Sequence, residues 1–127
     1  MELNELSSKV VGAAITVHKE LGPGLLESVY QSCLLIELRR MGVRVQSGVP
    51  VSVSYRGERI TGGGYEMDMV VEDTIIVELK SVEELHPVHE KQLLTYLRLA
   101  NKPLGLLINF NVVLLKDGVR RVINTAG

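Results

Sequence analysis

Leu3, Leu6, Val10, Ala13, Ala14, Val17 and Leu21 recur at three- and four-residue steps, which predicts a first helix. Gly22-Pro23-Gly24 ends it, because glycine and proline cannot sustain helical pairing. A second helix is expected next, with Leu26, Val29, Tyr30, Cys33, Leu34, Leu38 and Met41 on one side and Gly42 as its cap. From Val43 the period changes to two. Val49, Val51, Val53 and Tyr55 alternate with polar residues, and Arg56-Gly57-Glu58 reads as a turn. Gly62-Gly63-Gly64 interrupts the chain again. Strands are expected over Tyr65–Glu72 and Ile75–Lys80, joined at Glu72-Asp73-Thr74. Pro87 suits the first turn of a third helix running to about Ala100. Leu104–Phe110 is a nearly unbroken apolar run, as in a strand covered on both faces. Lys116-Asp117-Gly118 precedes a last strand over Val119–Ile123. The order α-α-β-β-β-β-α-β-β places a helix between two strands near the C-terminus, which requires a crossover and some parallel pairing. The expected fold is α/β: one domain over residues 1–127, a central mixed sheet flanked by helices.

Polar residues interrupt this pattern at two places where apolar ones would continue it. In the strand Tyr65–Glu72, Met67, Met69 and Val71 share one face while Asp68 and Val70 share the other. In Ile75–Lys80, Ile76, Glu78 and Lys80 lie opposite Ile75, Val77 and Leu79. A three-residue loop at Glu72-Asp73-Thr74 pairs Val71 with Ile75 and Met69 with Val77, and sets Asp68 opposite Glu78. A slip by one residue would turn every apolar side chain to the wrong face, so burial should enforce this register. Two facing carboxylates repel unless a proton or a cation intervenes. A hard divalent ion such as Mg²⁺ takes oxygen ligands of this kind. Lys80, on the same face, could orient or deprotonate a water or stabilise charge on a phosphate. Alone, the arrangement also fits an ion pair of Lys80 with Glu78 or Asp68.

Asp68, Glu78, Leu79 and Lys80 resemble the bipartite motif of PD-(D/E)xK nucleases, as D…ExK with nine residues between the acids. Gly24-Leu25-Leu26-Glu27-Ser28-Val29-Tyr30 is similar to the signature of the GxxExxY family within that superfamily. The likeness extends from about Val10 to Ile123. It implies a restriction-endonuclease-like core and phosphodiester hydrolysis of nucleic acid, DNA ahead of RNA. It further implies Mg²⁺ or Mn²⁺ held by Glu27, Asp68, Glu78 and the backbone carbonyl of Leu79, with Lys80 activating or orienting the attacking water. Gln92 and Tyr96, four apart on one helical face, resemble a Q-x-x-x-Y element that some such nucleases carry after the Glu-x-Lys strand, where it supports the site. Glu27 otherwise stabilises a helix start, and Tyr96 otherwise packs in the core with Gln92 facing solvent. Tyr30 fits the signature equally as a core residue.

Composition narrows the picture without deciding it. A formal net charge of -1 argues against broad electrostatic capture of nucleic acid, although 14 Lys and Arg leave room for a local basic groove. Arg39, Arg40, Arg44, Lys91, Arg98, Arg120 and Arg121 are dispersed in sequence. The near-neutral charge keeps a second reading open, a catalytically silent module of the same fold that binds nucleic acid or protein. A structural subunit is a third, and a homodimer that spans a duplex is expected. Cys33 is the sole cysteine, so no internal disulfide can form and a reducing cytoplasm is the expected setting. No signal peptide is expected at Met1–Lys9, and no apolar run reaches the roughly 18 residues of a membrane span. His18, His86 and His89 lack further ligands at zinc spacing and are expected near helix ends. Gly62-Gly63-Gly64 has no Lys-Ser/Thr sequel, so no phosphate-cradling loop is expected.

Overall fold

The computed structural model describes residues 1–60 and 63–125. Gly62, in the triple-glycine stretch, lies outside the described residues. The first two helices are α1 (Leu3–Leu21) and α2 (Glu27–Arg40). They bury most of the stripes that their spacing predicts, Leu6, Val10, Ala13, Ala14 and Val17 from one and Tyr30, Leu34 and Leu38 from the other, while Leu21, Leu26, Val29 and Met41, at or near the helix ends, are exposed instead. Met41 caps α2, and Gly42, expected as the cap, is the residue just past it. Its φ of 74° is open to glycine at little cost. Gly42 and Val43 donate their N–H groups to the carbonyls of Arg39 and Leu38, which closes the helix end.

Among the described residues seven strands follow the two helices, one more than the sequence pattern predicts. The expected run from Val43 to Tyr55 divides into β1 (Val45–Pro50) and β2 (Val53–Tyr55). The division has a cause in pairing. Pro50 has no N–H to donate, and the ladder of β1 with β4 (Glu66–Val71) ends at the Pro50–Glu66 pair. The chain therefore leaves the main sheet after Val51, whose N–H bonds the Tyr65 carbonyl at 2.9 Å. It forms a separate hairpin of β2 with β3 (Glu58–Ile60). Arg56 and Gly57, with φ of 50° and 82°, form its tight turn.

β5 (Ile75–Lys80), α3 (Pro87–Ala100), β6 (Leu104–Asn109) and β7 (Val119–Ile123) complete the order, with a 3-10 turn at Leu115–Gly118. The main sheet runs β1-β4-β5-β6-β7, and only β5 and β6 are parallel. This is the expected mixed sheet with helices on both sides. Ile75, Val77 and Leu79 pack with α1 and α2. Ile76, Val70 and Leu107 pack with Leu93, Tyr96 and Leu97 of α3. β6 is buried at every position.

The β4–β5 register is the one the loop length predicts: Val71 pairs with Ile75 and Met69 with Val77. Glu72 and Asp73 both take positive φ in that loop. Thr74 bonds the Glu72 carbonyl at 2.7 Å, and Lys102 bonds Asp73 at 2.8 Å. Met67 is a correction. Expected beside Met69 and Val71, it packs instead with Val70 against α3. The break in alternation falls at Asp68, where the ladder with β5 has ended.

Candidate functional site

At Asp68 the two strands stop exchanging backbone hydrogen bonds, and a side chain takes over. Asp68 Oδ2 accepts the Leu79 N–H at 2.8 Å. The carboxylate thus takes the place of a backbone partner in the seam between β4 and β5, beyond the end of their ladder. A strand residue presents its N–H and C=O to the same neighbour, so the Leu79 carbonyl is directed toward the Asp68 side. The next residue alternates as it should: the Lys80 carbonyl accepts from Phe110 N, on the β6 side, at 2.9 Å.

Glu78 projects to the α3 face and is only 8% exposed. Its Oε1 is buried with no hydrogen-bond partner among the described residues. Burial pushes its carboxyl up to about 9, and the neighbouring Asp68 carboxylate adds to the rise; the Asp68 backbone and the Lys80 ammonium pull weakly the other way. At neutral pH the metal-free pair therefore holds a proton on Glu78. Lys80 forms no ion pair with either acid among the described residues, where the ion pairs are Arg44–Glu72, Lys102–Asp73 and Arg120–Glu90. The plain ion-pair reading of Lys80 is thus not what the fold builds. Three of the dispersed arginines are engaged away from the acids: Arg44 with Glu72, Arg120 with Glu90, and Arg121 with Asn4 at 2.6 Å.

Glu27 opens α2, and the turn before it is held by a buried tyrosine. The Tyr30 hydroxyl donates to the Gly22 carbonyl at 2.6 Å and accepts the Leu25 N–H at 3.1 Å. Its ring stacks on Phe110 with centroids 4.3 Å apart. Gly22 and Gly24 take φ of 75° and 93° in that turn. Ser81, just past β5, bonds the Leu25 carbonyl at 2.6 Å, which ties the start of α2 to the exit of the Glu-x-Lys strand. Four residues on from Glu27, and so on its helical face, Gln31 donates to the Asp68 carbonyl at 3.0 Å. Glu27 is nonetheless exposed. Among the described residues no three His, Cys, Asp or Glu side chains gather as a metal-holding group. The fold brings Asp68 and Glu78 together and leaves Glu27 at the edge.

Tyr96 is buried on α3 beside the acids. Burial holds its phenol above the ordinary value, with Glu78, Tyr65 and Asp68 adding to the effect, so it remains a proton donor. Gln92 shares its helical face but is exposed. His89, one turn earlier, accepts the His86 N–H through Nδ1 at 3.0 Å and closes the start of α3. Its acidity is raised by burial and by the Lys80 and His86 charges, against Glu27. His18, near the end of α1, bonds the Val112 carbonyl at 2.8 Å, and Cys33 packs at the core margin.

Gln31 and Asn109 were not singled out from the sequence, whereas His89 was expected near a helix end and lies in the first turn of α3. Asn109 is buried beside Lys80 at the end of β6. Its side chain accepts from Val82 N and Asn111 N and donates to the Val82 carbonyl at 2.9 Å, fixing the loop that leaves β5. The available signal was one polar residue inside the Leu104–Phe110 apolar run.

The donor set suits a hard divalent cation. It comprises an orphaned carboxylate oxygen, a second carboxylate beside it and a backbone carbonyl directed to the same seam. Among the described residues no helix is long and apolar enough to cross a membrane. A family model described as the PD-(D/E)XK nuclease superfamily matches residues 4–122. No curated protein and no solved structure matches the chain.

Proposed function

The chain belongs to the PD-(D/E)XK nuclease superfamily, and from that premise we propose that it is a Mg²⁺- or Mn²⁺-dependent nuclease acting on phosphodiester bonds, in DNA ahead of RNA. The observation that carries the reading is the orphaned Glu78 Oε1, buried against the Asp68 carboxylate. A fold that desolvates one acid against another incurs a cost that only a proton or a cation removes.

In this reading Asp68, Glu78 and the Leu79 carbonyl hold the cation, which supplies Lewis acidity toward the phosphate when bound. Lys80, unpaired with the acids, orients the attacking water and offsets negative charge as the phosphate is attacked. Gln31 reaches the seam from α2, and Glu27 lies one turn before it on that helix. There Glu27 serves as a further ligand or positions a water. Tyr96 donates its phenol proton toward the acids, and Gln92 lies one turn away to meet the substrate.

The test is incubation of purified protein with Mn²⁺ and a panel of single- and double-stranded DNA and RNA. Cleavage by the unaltered chain, abolished in Lys80→Ala and Asp68→Ala, is the expected result. Cleavage undiminished in both variants contradicts the assignment.

A further inference from the structure

The chain has four tyrosines, one phenylalanine and no tryptophan. Tyr30 and Phe110 are wholly buried and stack on each other, and Tyr96 is buried beside Glu78. The remaining two rings are left out in solvent, Tyr55 at 63% exposure and Tyr65 at 55%. A chain so short of aromatics gains nothing in core stability by exposing two of its five.

Tyr65 lies between the β2–β3 hairpin, which carries Tyr55, and β4, which carries Asp68. Tyr65 precedes β4 and is three residues from Asp68. Its carbonyl accepts the Val51 N–H at 2.9 Å, which holds it where the hairpin leaves the sheet. Tyr55 ends β2 in the hairpin that leaves the sheet between β1 and Tyr65. The hairpin has almost no core: Val53 is half-buried, and Ser54, Tyr55, Glu58, Arg59 and Ile60 are exposed. Two strands alone are marginal in water, so this arm contributes little to the stability of the domain.

Its chemistry is specific. The Arg56 guanidinium lies over the Tyr55 ring, 5.5 Å from its centroid. Val53, Tyr55, Glu58 and Ile60 share one face because cross-strand partners do. Arg59 turns to the other face and joins Tyr65 in lining a cleft of about 390 Å³ at the base of the arm. Rings interleaved with arginines fit unpaired bases and their phosphates, since every base offers a π-face and every linkage an anion. A paired duplex keeps its bases stacked on one another and offers these rings nothing.

We propose that the β2–β3 hairpin and Tyr65 form a stacking arm for single-stranded nucleic acid, which delivers the strand past the Arg59 cleft to the Asp68–Glu78 seam. The delivery step rests on the nuclease reading; the binding step does not.

The experiment is fluorescence anisotropy with a short labelled single-stranded oligonucleotide and the matching blunt duplex. It is run in chelator so that nothing is cut, beside a Mn²⁺ cleavage assay of the same proteins. Tyr55→Ala and Tyr65→Ala should each weaken single-strand binding about tenfold or more. Tyr55→Phe and Tyr65→Phe should restore it, and Arg59→Ala should flatten its salt dependence. Both rings are exposed, so melting curves should show the alanine variants folded. Single-strand affinity unchanged in both alanine variants, or a preference for the duplex, overturns the arm. Cleavage without tyrosine-dependent binding removes the arm and leaves the nuclease. Tyrosine-dependent binding without cleavage keeps the arm and removes the nuclease.

Discussion

Replacing Glu78 by glutamine should make the metal-free protein more stable at mildly alkaline pH. Glu78 is held protonated in the folded chain up to about pH 9, against an ordinary value of 4.5. Between those values the folded chain keeps a proton that the unfolded chain releases. The stability associated with this group is therefore complete below pH 4.5, falls as pH rises toward 9, and is flat above that. Near pH 8 the span from 4.5 is about 3.5 pH units, which sets a ceiling of about 5 kcal/mol. Glutamine keeps the shape, needs no proton and can donate to the Asp68 carboxylate. Thermal melts in chelator from pH 5 to pH 9 should show the unaltered chain losing roughly 10 °C or more relative to Glu78→Gln across that range. The lowered values at Glu72 and Asp73 act in the opposite sense, toward loss of stability in acid, but both proteins share them. With Mn²⁺ the order should reverse, because only the carboxylate contributes to cation binding. Parallel pH profiles in chelator would refute the reasoning, since they would mean that Glu78 is already ionised in the folded protein.

Three further substitutions probe the parts around the pair. Lys80→Ala should lower cleavage by about 10²-fold or more while leaving Mn²⁺ affinity within a few-fold by calorimetry, because Lys80 pairs with neither acid. Tyr30→Phe keeps the stack on Phe110 but removes the bonds to Gly22 and Leu25; it should cost about 1–2 kcal/mol in urea unfolding and speed amide exchange at Leu25. Gly118→Ala should cost about 2–3 kcal/mol, because its Cβ would overlap the Asn109 carbonyl and press on Val112 at 3.1 Å. Its melting curve checks this.

Much of the site was legible because two short-range rules meet there. Period-two alternation put Glu78 and Lys80 on one face, and loop length set Asp68 opposite Glu78; both depend only on nearby residues. Asp68 itself marks where that reasoning stops. Its side chain bonds the Leu79 N–H, a contact outside any propensity, just where the ladder ends and Met67 packs toward α3. The division of β1 from β2 escaped notice for a related reason. Alternation continues through Val51 and Val53, and only the absence of a partner strand stops the sheet. Tyr30 was legible as part of a signature, but its work as a clamp on the turn before Glu27 depends on Gly22, eight residues earlier. Gln31 and Asn109 act through tertiary contacts to segments that their own neighbourhoods do not contain.

The central claim is that Asp68 and Glu78 share one divalent ion. Anomalous diffraction from a crystal soaked in Mn²⁺ tests it directly. A single peak bonded to Asp68, to the otherwise unpartnered Glu78 Oε1 and to the Leu79 carbonyl is the predicted result. Clear density for both carboxylates with no peak between them, at a soak that saturates the protein in solution, would contradict it.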